Sequence, residues 1–117
     1  MSRESFLLPN GEGYRIKSDE YSRSRGGSSE MLDVRCARCS TKVLIYQKDG
    51  PGHLKRCYSD RIAFRFVNPD KESDEALLQC PQCDQMIGRR MIYKPESREA
   101  YGLVPGSFSK RKYIPEK

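Results

Sequence analysis

Two C-x-x-C pairs, Cys36-Ala37-Arg38-Cys39 and Cys80-Pro81-Gln82-Cys83, stand 40 residues apart in a chain of 117. No other feature limits the fold so strongly. Two residues between cysteines make a tight turn in which both sulfurs point inward and backbone amides donate to them. Two such turns supply four soft ligands, the closed shell expected of structural zinc. Cys36, Cys39, Cys80 and Cys83 are therefore expected to hold one Zn2+, with iron as the less favoured metal. Because 36% of residues are apolar and 32% are charged, the core is small. A metal clamp contributing on the order of 10 kcal/mol offsets that shortage. The five cysteines are an odd number, and the first ten residues hold no secretory h-region, so a disulfide scaffold is not expected.

The local chemistry of the two turns differs. Pro81 presets its own dihedral directly after a ligand and removes an amide hydrogen that would need a partner. Ser40 and Asp84 stand after the second cysteine of each pair, where glycine commonly relaxes the turn. Asp tolerates the left-handed region better than most residues. With strand-like runs beside them, the two pairs resemble the knuckles of a zinc ribbon over residues 34–93. Residues 46–62, YQKDGPGHLKRCYSDRI, are similar to a stretch of small uncharacterised microbial zinc-ribbon proteins. The resemblance implies a metal-bound β-fold and carries no activity.

The fold class expected is small and mainly β, with zinc-ribbon-like antiparallel hairpins around the four cysteines and flexible termini. Residues 1–30 read as a flexible N-terminal arm, because the run Ser22-Arg-Ser-Arg-Gly-Gly-Ser-Ser29 buries too little apolar surface to offset chain entropy. Residues 31–100 form the zinc-ribbon domain, and 101–117 a basic C-terminal tail, extended or docked through Phe108 and Tyr113. Residues 41–48 read as a strand, Asp49-Gly50-Pro51-Gly52 as a turn, and residues 54–58 as the returning arm of a hairpin. Over 61–67 the alternation is clean: Ile62, Phe64 and Phe66 share one face, with Arg61 and Arg65 on the other. Residues 68–75 form a polar loop, 86–93 a further strand, and 96–101 a single helical turn. Cys57 reads as a small buried hydrophobe and His53 as an exposed turn residue, with no place left in a shell of four thiolates.

Charge is unevenly placed. The chain has 22 basic and 16 acidic residues, a net +6. Residues 31–67 carry eight basic and three acidic side chains, residues 89–117 the same, and residues 68–88 one basic and five acidic. A divalent ion on four thiolates leaves roughly +4. Lys42, Tyr46 and Lys48 share a face of their strand. With Lys55, Arg56, Arg61, Arg65, Arg89 and Arg90 they compose a basic, tyrosine-containing surface suited to phosphates and unpaired bases. RNA or a ribonucleoprotein is the expected partner, because no helix is available to enter a major groove.

Two other functions suit the same residues. One is a protein-interaction adaptor whose zinc domain carries the two tails into a larger complex. The other is a rubredoxin-like iron electron carrier. An enzyme is not expected. Four thiolates leave no open metal position, and the chain has one histidine, no glycine-rich phosphate loop and no G-x-S-x-G. No small-molecule substrate is evident. No apolar run approaches the roughly 18 residues that span a bilayer, so no membrane association and a cytoplasmic location are expected.

Overall fold

Each C-x-x-C pair turns a β-hairpin, and each hairpin founds one sheet. The computed structural model describes residues 5–72 and 74–115. The ends of the expected arm and tail, 1–4 and 116–117, and Ser73 of the polar loop lie outside the described residues. The first knuckle joins β3 (Ser29–Cys36) to β4 (Lys42–Asp49), and the second joins β7 (Leu77–Gln79) to β8 (Met86–Tyr93). Around the first hairpin, β10 (Phe108–Lys112) and β6 (Ile62–Arg65) complete a four-stranded antiparallel sheet in the order β10-β3-β4-β6. Around the second, β5 (Arg56–Tyr58) and β9 (Arg98–Leu103) give the order β5-β9-β8-β7. The molecule is mainly β, as its sequence implies. Among the described residues, no helix is long and apolar enough to cross a membrane.

The main core lies between the sheets. Leu32, Val34, Leu44 and Tyr46 of the first sheet meet Cys57, Leu78, Ile87 and Ala100 of the second. Period two explains which side chains arrive there, but β4 is buried on both faces rather than one. Ile45 projects the other way, into a second cluster with Leu8, Met31 and the rings of Phe64 and Phe66. A face read as solvent-exposed through Tyr46 is therefore core.

The N-terminal segment supplies that second cover, which corrects the expectation of a solvated arm. β1 (Ser5–Leu7) pairs with β2 (Gly13–Arg15), and α1 (Glu20–Ser24) follows, capped by Asp19. The fully buried amide of Gln47 accepts from Tyr14 Oη and Lys17 N, each at 2.9 Å, and donates to Lys17 O at 2.9 Å. Gly50, at φ 76°, sits so close that a Cβ there would stand 2.7 Å from Arg25 O.

Three other expectations change. β5 does not return on β4, whose two edges are already taken by β3 and β6. It crosses to pair with β9. Residues 98–103 form a strand rather than a helical turn, because they fill the gap between β5 and β8. The preceding 3-10 turn over Lys94–Glu96 ends at left-handed Ser97. β9 thus continues across the border placed between residues 100 and 101. Finally, the alternation over 61–67 is broken by an irregular register in which Tyr46 faces Ile62 while its neighbour Ile45 faces Phe64. The extra residue at Ala63 is a β-bulge, which sends Ile62 to the main core and Phe64 and Phe66 to the second cluster.

Candidate metal centre and the surrounding charge

Both knuckles have the same backbone. In the first, Ser40 N donates to Cys36 O at 2.9 Å; in the second, Asp84 N donates to Cys80 O at 3.1 Å. Ser40 and Asp84 have φ of 66° and 65°, the left-handed turn that glycine would relax. Amides also face the sulfurs. Arg38 N lies 3.4 Å from Cys36 Sγ, and Gln82 N lies 3.4 Å from Cys80 Sγ. Each turn thus aims two sulfurs at one point and partly offsets their negative charge.

The four Sγ atoms of Cys36, Cys39, Cys80 and Cys83 lie within 4.8 Å of one another. Across the knuckles, Cys36 and Cys83 are 3.6 Å apart, and Cys39 and Cys80 are 3.4 Å apart. A tetrahedral ion with thiolate bonds of about 2.3 Å requires sulfurs about 3.8 Å apart, so these residues fit a four-thiolate metal site. Cys36 and Cys80 are buried while Cys39 is exposed. Contacts with Thr41 lower the Cys39 thiol to about 6, while burial pushes the Cys80 thiol up. A bound cation supplies the charge that ionises such a group.

Cys57 and His53 stay outside this site. Cys57 is fully buried, and burial raises its thiol well above the ordinary range. It is a core atom with no nucleophile's environment. His53 is exposed in the loop after β4.

The nine side chains grouped by sequence as one basic surface are dispersed. Arg61 is 1% exposed and donates to Asp49 at 2.8 Å and Asp19 at 2.6 Å. It faces inward because the arm brings Asp19 over β4. Arg65 is also turned in, donating to Leu77 O at 2.9 Å and Tyr101 Oη at 3.2 Å across the two sheets. Tyr46 is buried with its hydroxyl accepting from Tyr58 N, and the mostly buried Lys48 donates to Gly50 O. These four leave the exposed surface for the same reason: the sheets and the arm cover them. Lys42 stands over the Phe66 ring on the other side of β4. Arg90 pairs with Glu99 at 2.9 Å.

Lys55 and Arg56 remain together, and Arg89 shares the face of Arg56. Arg56, Gly102 and Arg89 stand opposite one another on β5, β9 and β8, and residues in one such row project to one face. Arg90, one residue on, projects to the other. The Arg56 guanidinium lies 4.3 Å from the centre of the Tyr93 ring, and Tyr93 meets Tyr58 edge-on at 5.8 Å. Around them opens a cleft of about 250 Å³.

The same end of the molecule holds a network that sequence reading did not find. Arg98, 5% exposed, donates to Asp60 at 2.7 Å and Glu96 at 3.1 Å, between the rings of Tyr21 and Tyr58 at 4.0 and 3.8 Å. Arg25 of the arm pairs with Glu96 at 2.9 Å. Each residue taken alone reads as solvated, and nothing in its spacing marks the network. Compared with known proteins, the chain matches no family model, no curated protein and no solved structure.

Proposed function

We propose that the chain is a zinc-ribbon-like binding module in which Zn2+ on Cys36, Cys39, Cys80 and Cys83 is structural, and that it binds single-stranded RNA. On this reading the metal clamps two hairpins and takes no part in a reaction, so the chain is a binding module rather than an enzyme. The observation that carries the RNA reading is the cleft beside Arg56. His53, Lys55 and Arg56 surround Tyr58 and Tyr93. Its one acidic lining residue, Asp49, is occupied by Arg61, Ser29 and Gln47. Among the described residues, no carboxylate pairs with Lys55, Arg56 or Arg89. Cations free of carboxylates attract phosphates, and a guanidinium plane backed by a tyrosine offers a deck on which an unpaired base stacks.

The test is fluorescence anisotropy with a short single-stranded RNA on the metal-loaded chain between 50 and 200 mM salt. Affinity is expected to fall steeply, with the log–log slope losing roughly 0.7 for each phosphate contact removed by Lys55→Glu, Arg56→Glu or Arg89→Glu. Arg90→Glu, on the opposite face, is expected to change little. Affinity indifferent to salt and to Arg56→Glu would refute RNA binding in this cleft. Elemental analysis of the purified chain decides the metal: zinc fits the clamp, and iron would turn attention to electron transfer.

A further inference from the structure

A larger cavity, of about 530 Å³, opens on the other side of β4. Ile45 and Tyr46 project to opposite faces of that strand, so this cavity and the cleft beside Arg56 are separate. Its floor is apolar, made by Leu8, Ile45 and Phe66 beneath the β1–β2 hairpin. Its wall is polar. The Asp33 side chain is only 10% exposed, and its Oδ2 accepts from Arg35 Nε at 3.1 Å and Arg111 Nε at 3.3 Å. Oδ1 of the same carboxylate is buried with no hydrogen-bond partner. Beside it Arg35 and Arg111 line the rim. Among the described residues no carboxylate other than Asp33 lines the cavity, so their local balance is positive.

A buried carboxylate oxygen left without a donor is costly, and such an exception calls for an explanation. The terminal torsion of an aspartate is broad, so a small turn that keeps Oδ2 on the arginines brings Oδ1 toward the cavity. Three demands then fall on one occupant. It presents an N–H donor to Asp33, carries an anion within reach of Arg35 and Arg111, and has a flat apolar body to lie against Ile45 and the Phe66 ring. A cavity of this size is in the ordinary range for small-molecule sites. We infer that this cavity binds a nucleoside phosphate, with guanine as the base. Guanine shows two neighbouring N–H donors on one edge, which meet the single open oxygen Oδ1 as the two donors of the Arg35 fork meet Oδ2, while its phosphate meets the cationic rim. This site is distinct from the RNA cleft and stands or falls independently of it.

The test is titration of the metal-loaded full chain with guanosine, adenosine, cytidine and uridine 5′-monophosphates, followed by amide NMR shifts. Guanosine monophosphate is expected to bind at least tenfold tighter than the others and to shift amides of residues 31–35 and 108–113, leaving 54–58 unmoved. Asp33→Asn is expected to abolish the preference, because an asparagine whose oxygen stays on the arginines turns its NH2 into the cavity and meets guanine donor to donor. Should that variant fold poorly, Arg111→Glu on exposed strand β10 is expected to weaken binding about tenfold on its own. Arg56→Glu is expected to leave mononucleotide binding intact. Two five-residue RNAs, all-uridine and the same with one central guanosine, separate the sources. Discrimination between them assigns the site to a nucleotide within RNA, and none, with the monophosphate still bound, assigns it to free nucleotide. Equal affinity for all four monophosphates, no binding at millimolar concentration, or shifts confined to 54–58 would overturn the inference.

Discussion

Arg61 shows how much one side chain governs here. Burial disfavours its charge, yet Asp19 and Asp49 more than compensate and keep the guanidinium charged far above neutral pH. Asp49, with a side chain 5% exposed, has no water to replace that partner. Breaking a buried pair from one side costs about 3–5 kcal/mol, mostly the penalty of the carboxylate left behind. Arg61→Met is therefore expected to lower the unfolding free energy by about that amount, and adding Asp49→Asn to restore part of it. Urea denaturation of the metal-loaded chain checks this, and a loss under about 1 kcal/mol would show the pair to be solvated. Cys57 gives a second test at this scale. With its thiol buried and its pKa raised, it is expected to resist iodoacetamide at pH 7.5 while the metal is bound. Mass spectrometry after chelation in denaturant is expected to find it labelled.

Among the elements, the arm is the one held by charge as much as by apolar contact. Asp19 caps α1 and pairs with Arg61, and the hydrogen bond from Arg61 leads the influences that lower its carboxyl to about 2 from 3.8. A depressed carboxylate stabilises the docked arm fully above its unfolded value, near 3.8, and loses that contribution as pH falls toward 2. Protease cleavage after Arg23 and Arg25 is thus expected to be equally slow at pH 8 and pH 5. Asp19→Asn or Gly50→Ala is expected to speed it, the latter because its Cβ meets Arg25 O. Equal rates in all three chains would mean that the arm is not held there. The knuckles, β4, the strand within 61–67 and the strand at 86–93 were legible in the sequence because each rests on a short-range rule: ligand spacing, turn residues or period two. The arm was not. Its anchors are Gln47, Asp19 and Arg61, polar residues whose burial depends on partners about 30 to 40 positions away. The bulge at Ala63 escaped for a related reason, since an extra residue is visible only in the register with β4.

For the whole molecule, the metal site decides how the two sheets stay together. Each knuckle ends one hairpin, and the sulfurs tie the hairpins directly at that end, with Cys36 and Cys39 from one sheet and Cys80 and Cys83 from the other. Without an ion, four thiolates at this spacing repel, and those that protonate lose the interaction that holds them together. Chelation is therefore expected to do more than loosen a loop. The main core packs on Cys36, Cys80 and Cys83 directly, so separating the knuckles opens it from that end. The second cluster of Leu8, Met31 and Ile45 lies on the far face of the first sheet and contains no ligand. Amide exchange is expected to rise first in β7, β8 and the knuckles on removal of the metal, and later in β3 and β4 where the arm still covers them. The double substitution Cys80→Ser/Cys83→Ser is expected to reproduce that order without chelator. Uniform exchange across both sheets would mean instead that the sandwich and the arm unfold as one unit, with the metal as its single keystone.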